Sequence, residues 1–202
     1  LTNNQQPDIL AHARSTRATQ AELAAANAVR QAETTHEDHD TRALRKAERL
    51  RLASNNKDEG TQLFKDGNMA PAIARWGRAL EHTTKFIDLT PDDKPEIDAL
   101  VLSLHLNIAM ALLRLADEGS LRRCVESTTA ALAIEAANAK ALYRRACALN
   151  GLRQFDAALA DLVAAEAAEP GDKAVAALLK TVEAAIAAQK QKEKAVYGKM
   201  FG

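Results

Sequence analysis

The chain has 202 residues, 47% of them apolar but only 3% aromatic, and its 27 basic and 27 acidic residues cancel. That balance excludes recruitment of nucleic acid or anionic lipid by bulk charge, so any anion-binding role rests on local clustering. With 8 glycines, 5 prolines and a large share of alanine, the composition is that of an all-α protein with few turns.

Residues 1–50 are rich in alanine, threonine and charge and hold few large apolar side chains, so they read as a linker arm without a core of its own. Leu44, Ala47 and Leu50 extend the first core helix backwards. Within the arm, His36-Glu37-Asp38-His39-Asp40 places two histidines three apart among carboxylates, a pattern able to hold zinc. Its low-complexity setting offers no outer shell to orient the ligands, so no metal is expected. The first residue is Leu1 rather than methionine, which suggests a fragment or a processed product. There is no signal peptide, and no apolar run reaches the ~20 residues of a membrane span. Cys124 and Cys147 lack neighbouring metal ligands. As free thiols they suit a reducing, cytoplasmic setting.

From about residue 53 the sequence repeats. Gly60, Ala109 and Ala146 are small residues, each followed three positions later by Leu63, Leu112 and Leu149. Further on come Ala72, Cys124 and Ala158, the second after a short insertion around Asp117-Glu118-Gly119-Ser120. Four beyond these stand Trp76, Thr128 and Leu162, then Ala79, Ala131 and Ala165, and Pro170 closes the third unit. This is the ~34-residue helix-turn-helix period of the tetratricopeptide repeat (TPR). Small residues at the crossing let two antiparallel helices approach, and one unit cannot bury its own face, so units stack. The period predicts repeats at about 53–86, 102–138 and 139–172 in a right-handed superhelix. Thr90-Pro91-Asp92-Asp93-Lys94-Pro95 reads as a loop between the first two. Asp172 then caps a long helix over 173–202. Val175, Leu178, Leu179, Val182 and Ile186 dock its first half on the third repeat, and its second half projects into solvent.

The first helix of each repeat carries hydrogen-bond donors. Lys57 and Thr61 are four apart on the first, Lys140 and Arg144 four apart on the third, and Asn107 lies on the second. Two ammoniums, a guanidinium, an amide and a hydroxyl without a carboxylate suit a ligand that presents two carboxylates. The bland alternative is a set of solvated charges. No serine or cysteine nucleophile has a convincing histidine partner and no glycine-rich phosphate loop occurs, so the chain is not expected to be an enzyme. His82 and His105 fall on helix patterns as packing or surface residues. The basic run from Gln189 to Lys199, with Val196, Tyr197, Met200 and Phe201, has features of a calmodulin-target helix, although Glu193 interrupts its charge. The alternative is a solvated helix end whose aromatic residues dock back on the domain.

Asn138-Ala139-Lys140-Ala141-Leu142-Tyr143-Arg144-Arg145-Ala146 resembles the third repeat of the immunophilin co-chaperones. Phe155-Asp156-Ala157-Ala158-Leu159-Ala160-Asp161-Leu162 and the run from Gln189 to Phe201 resemble the TPR-bearing cyclophilins of that group. The resemblance covers about residues 53–201. It implies binding to the Met-Glu-Glu-Val-Asp tail of the cytosolic ninety-kilodalton heat-shock chaperone, or to the seventy-kilodalton class. The implied dicarboxylate clamp is Lys57, Asn107, Lys140 and Arg144. Thr61 stands where these cyclophilins carry asparagine, and at that point the chain resembles the FK506-binding immunophilins. Lys194, Tyr197, Met200 and Phe201 would form a tail that supports binding to the intact chaperone. The resemblance also implies a parent that is a peptidyl-prolyl isomerase through an N-terminal domain which residues 1–50 cannot supply. No cofactor is implied.

Overall fold

The computed structural model describes residues 44–84, 86 and 88–201, with side chains through Tyr197. Residues 1–43 of the arm, and with them the segment 36–40 and its two histidines, lie outside the described residues. Seven α-helices and one 3-10 turn make up the described fold, and no strand occurs among these residues. They are α1 (Lys46–Lys65), α2 (Met69–His82), the 3-10 turn Pro91–Asp93, α3 (Lys94–Leu115), α4 (Glu118–Ile134), α5 (Ala139–Gly151), α6 (Phe155–Ala168) and α7 (Lys173–Phe201). Short links pair α1 with α2, α3 with α4 and α5 with α6. The hairpins stack in order, α2 on α3 and α4 on α5, and α7 covers α6.

Local chemistry sets the helix ends. Asp117 accepts the Ser120 N–H at 2.9 Å, Asn138 accepts that of Ala141 at 3.0 Å, and Asp172 accepts that of Ala174 at 2.6 Å. Each satisfies an N–H that has no partner within its helix. The turn after α1 uses Gly67 at φ 84°. Ala116 and Arg153 take the left-handed conformation without being glycine, at φ 58° and 60°. Such a conformation costs an L-residue roughly 1–2 kcal/mol.

The core follows the repeat. Ala72, Cys124, Ala158, Trp76, Thr128, Leu162, Ala79, Ala131 and Ala165 are all buried. Gly60 shows why a small residue stands at the crossing: a Cβ built there would lie 2.7 Å from the Trp76 ring. Two clusters result. One joins α1–α4 around Trp76, Leu104 and Leu112, and the other joins α5–α7 around Leu142, Leu162 and Val182. They interlock at the α4–α5 boundary, where Ala148 enters the first and Val125 touches both. Within the third hairpin the Arg145 guanidinium forks onto Asp161, with both bonds at 2.7 Å.

Several boundaries differ from the sequence reading. The first repeat begins at Lys46, not 53, so residues 46–50 belong to α1 rather than the arm. Leu44 precedes the helix, and the early buried residue is Arg49. The second repeat begins at Lys94, not 102, because Pro95 sits in the first turn of α3, where its missing N–H has no helical partner to lose. The insertion lengthens α4 to 17 residues against 14 in α2 and α6. A further correction concerns membrane spans. By length and composition alone, 91–115 would qualify, with mean hydropathy 1.6. The cause is its place as the first helix of the middle repeat, packed by α2, α4 and α5.

Candidate carboxylate-binding groove

On α1 the Lys57 carbonyl accepts two bonds, one from the Thr61 hydroxyl at 2.8 Å and one from Trp76 Nε1 at 3.1 Å. The indole bond pins α2 to this turn of α1. The Thr61 bond alters its expected role. A hydroxyl has a single proton, and here it is spent on the carbonyl four residues back. Thr61 therefore offers lone pairs to a ligand rather than a donor. A carboxylate can reach it only through a bridging water or after the hydroxyl rotates.

On α5 the half-buried Arg144 sends Nη1 to the Leu106 carbonyl at 2.8 Å. That carbonyl belongs to the residue before Asn107, so the bond brings the guanidinium beside the α3 segment that carries the amide. Burial lowers the Arg144 pKa from its ordinary value, yet arginine keeps its charge. With one N–H committed, the remaining donors of the fork stay available. Lys140, one turn earlier, is exposed.

None of Lys57, Thr61, Asn107, Lys140 or Arg144 meets a carboxylate among the described residues. Other cations, on these helices and beyond them, are paired: Lys46 with Asp93 at 2.5 Å, Lys94 with Asp98, Arg145 with Asp161, Arg75 with Glu59 at 3.1 Å and Arg122 with Glu118. Lys57, Lys140 and Arg144, with Asn107, thus form a set of donors without a carboxylate partner among the described residues.

Seven residues beyond Lys57 is Phe64, and seven beyond Asn107 is Arg114, so each shares its partner's helix face two turns on. The Arg114 guanidinium lies 4.1 Å from the Phe64 ring centroid. The seven-residue spacing was visible in the sequence, but the cross-helix contact was not. Cys147, seven beyond Lys140, is half-buried, and burial raises the pKa of its thiol. Burial also pushes Cys124 up to about 12 and Tyr143 to about 12. Neither cysteine is an activated nucleophile. His105 is half-buried, its pKa lowered by burial, with Nδ1 3.2 Å from the Ser127 hydroxyl. His82 is buried.

The tail does not join this surface. Residues 187–197 of α7 are exposed, Lys194 among them. Tyr197 is 62% exposed, so it does not dock back on the domain as one alternative had it. The Met200 and Phe201 side chains lie outside the described residues. No group of three or more metal-ligating side chains occurs among the described residues.

No family model matches the sequence. Among curated relatives, peptidyl-prolyl cis-trans isomerase D of Cryptococcus neoformans is 36% identical over 77% of this chain and 44% of its own length. Peptidyl-prolyl cis-trans isomerase FKBP4 of Bos taurus is 32% identical over 76% of this chain and 33% of its own. The chain therefore spans less than half the length of the curated relatives it matches. Among solved structures, the C-terminal TPR-containing domain of a Plasmodium falciparum FK506-binding protein superposes with TM-score 0.66 at 19% identity, covering 77% of this chain and 99% of that one. The first TPR domain of Spaghetti (RPAP3), bound to the HSP90 peptide SRMEEVD, superposes with TM-score 0.55 at 22% identity, covering 68% and 95%. The described residues are thus a TPR domain and contain no isomerase domain. Two of these names state the FK506-binding type and the isomerase D name states no type, so the cyclophilin reading of the C-terminal run rests on sequence resemblance alone. Calmodulin gains no support from them.

Proposed function

We propose that this TPR domain is the tail-binding module of an immunophilin-type co-chaperone, and that Lys57, Asn107, Lys140 and Arg144 hold the C-terminal aspartate of a chaperone by its two carboxylates. The observation that carries the reading is that Lys57, Lys140 and Arg144 meet no carboxylate among the described residues, while other cations of the same helices, Lys46, Lys94 and Arg145, are paired. Leaving such donors without internal partners is sensible where a ligand supplies the anion. The Spaghetti domain, of like fold, is described with a peptide ending Met-Glu-Glu-Val-Asp. The ninety-kilodalton chaperone tail with that ending is the proposed partner, and the seventy-kilodalton class the second candidate. The parent is then a cytoplasmic peptidyl-prolyl isomerase whose catalytic domain lies outside this chain. FKBP4 and the Plasmodium protein favour the FK506-binding type over the cyclophilin type.

Calorimetric titration with a Met-Glu-Glu-Val-Asp peptide and with its C-terminal amide tests the reading. The free acid should bind and the amide should not, because only a clamp senses the terminal carboxylate. Equal affinity for both would instead indicate a scaffold for internal peptides.

A further inference from the structure

The link between α2 and α3 runs Leu89-Thr90-Pro91-Asp92-Asp93. Thr90 and Asp92 are exposed, and the Thr90 backbone is extended at φ −106° and ψ 158°, just before the 3-10 turn Pro91–Asp93. The Thr90 hydroxyl donates to Asp93 Oδ2 at 2.7 Å, and the Thr90 N–H donates to the same oxygen at 2.9 Å. The other oxygen of Asp93 takes Lys46 Nζ at 2.5 Å, while Asp88 accepts the Lys46 N–H at 2.7 Å. One threonine hydroxyl thus ends a chain of bonds that ties the first turn of α1 to this loop.

We propose that Thr90 is a phosphorylation site for an acid-directed protein kinase, and that the phosphate releases the first turn of α1. Asp92 and Asp93, two and three positions after the hydroxyl, supply the acidic determinant. Asp92 pairs with no cation among the described residues. In the transfer the bond from Thr90 Oγ1 to the γ-phosphorus of ATP forms and the bond to the β-phosphate oxygen breaks. ADP leaves, and the hydroxyl proton passes to the kinase's catalytic aspartate. The resulting ester oxygen has no proton, so its bond to Asp93 is lost outright. A charge of about −1.5 to −2 then faces the Asp93 carboxylate and drives it from the cap. Lys46 Nζ loses its Asp93 bond, and the first turn of α1, held then by the Asp88 bond alone, frays more readily. This inference does not depend on the tail-binding role of the groove.

The test uses the full 202-residue chain with ATP and an acid-directed kinase, with fragment mass spectrometry and amide hydrogen exchange as readouts. A single phosphate on Thr90, absent from Thr90→Ala, is expected. Exchange of amides 46–50 should rise roughly tenfold from repulsion between adjacent anions. Phosphate on another residue, transfer only by a proline-directed kinase reading Pro91, or phosphorylated Thr90 with unchanged exchange at 46–50 would each overturn the proposal.

Discussion

Gly60→Ala should destabilise the domain, although alanine is the better helix former. Gly60 lies inside α1, and a Cβ there would stand 2.7 Å from Cδ1 and Nε1 of Trp76 and 3.1 Å from Cε2. The ring is 2% exposed and tied to the Lys57 carbonyl, so it has little room to retreat. Overpacking of this kind costs about 1–3 kcal/mol, and a strained indole bond adds up to ~1 kcal/mol. Helix propensity returns ~1 kcal/mol. The net loss is ~2 kcal/mol, or a fall in Tm of about 4–8 °C for a domain of this size. Gly77→Ala is the matched control, since nothing lies within 4 Å of a Cβ at that position of α2. It should gain roughly 0.5–1 kcal/mol. Thermal unfolding followed by circular dichroism measures both, and the single tryptophan reports displacement of its ring by fluorescence. A Gly60→Ala protein as stable as Gly77→Ala would refute the close-packing argument.

Other outcomes follow from the same geometry. Arg144→Ala should abolish tail-peptide binding with helicity retained, at a cost on the order of 2–5 kcal/mol. Calorimetry beside circular dichroism checks this, and wild-type affinity would count against the groove assignment. Hydrogen bonds from Lys46 and Thr90 hold the Asp93 pKa down to about 2 from 3.8. A depressed carboxylate contributes stability above its unfolded pKa and loses it as pH falls through the folded value. The tie to α1 should therefore fail between about pH 4 and pH 2, and Asp93→Asn should flatten that part of an acid titration followed by hydrogen exchange at 46–50. Truncation after Gln191 removes helix that is exposed at each position from 192 to 197 and should leave Tm nearly unchanged. Truncation after Asp172 removes Val175 and Val182, uncovers Leu162 and its neighbours, and should lower Tm sharply.

The repeat was legible because its positions are fixed by contact distance. Only small side chains fit where helices cross, so Ala72, Ala158 and Cys124 could be placed by size alone. The start of α3 was hidden because Pro91 and Pro95 read as loop signals, whereas a proline in a first helical turn gives up nothing. Donor positions on the groove helices were readable from four-residue spacings, but what each donor does was not. Thr61 turns its proton inward, and Arg144 spends one N–H on a carbonyl of another helix. Its neighbour Arg145 turns to Asp161 and away from any ligand. Such choices depend on atoms brought together by folding from tens of residues away.

The interlock of the two core clusters has a mechanical consequence. The boundary between α4 and α5 divides Lys57 and Asn107 from Lys140 and Arg144, and it is spanned by Ala148, Val125, the Arg144–Leu106 bond, the Arg145–Thr129 bond and the Cys124 thiol against the Arg144 carbonyl. A peptide seated on all four side chains would act as a clasp across that joint. Its binding energy would then register as increased cooperativity of unfolding, with the α5–α7 half gaining the rigidity of the half built on Trp76.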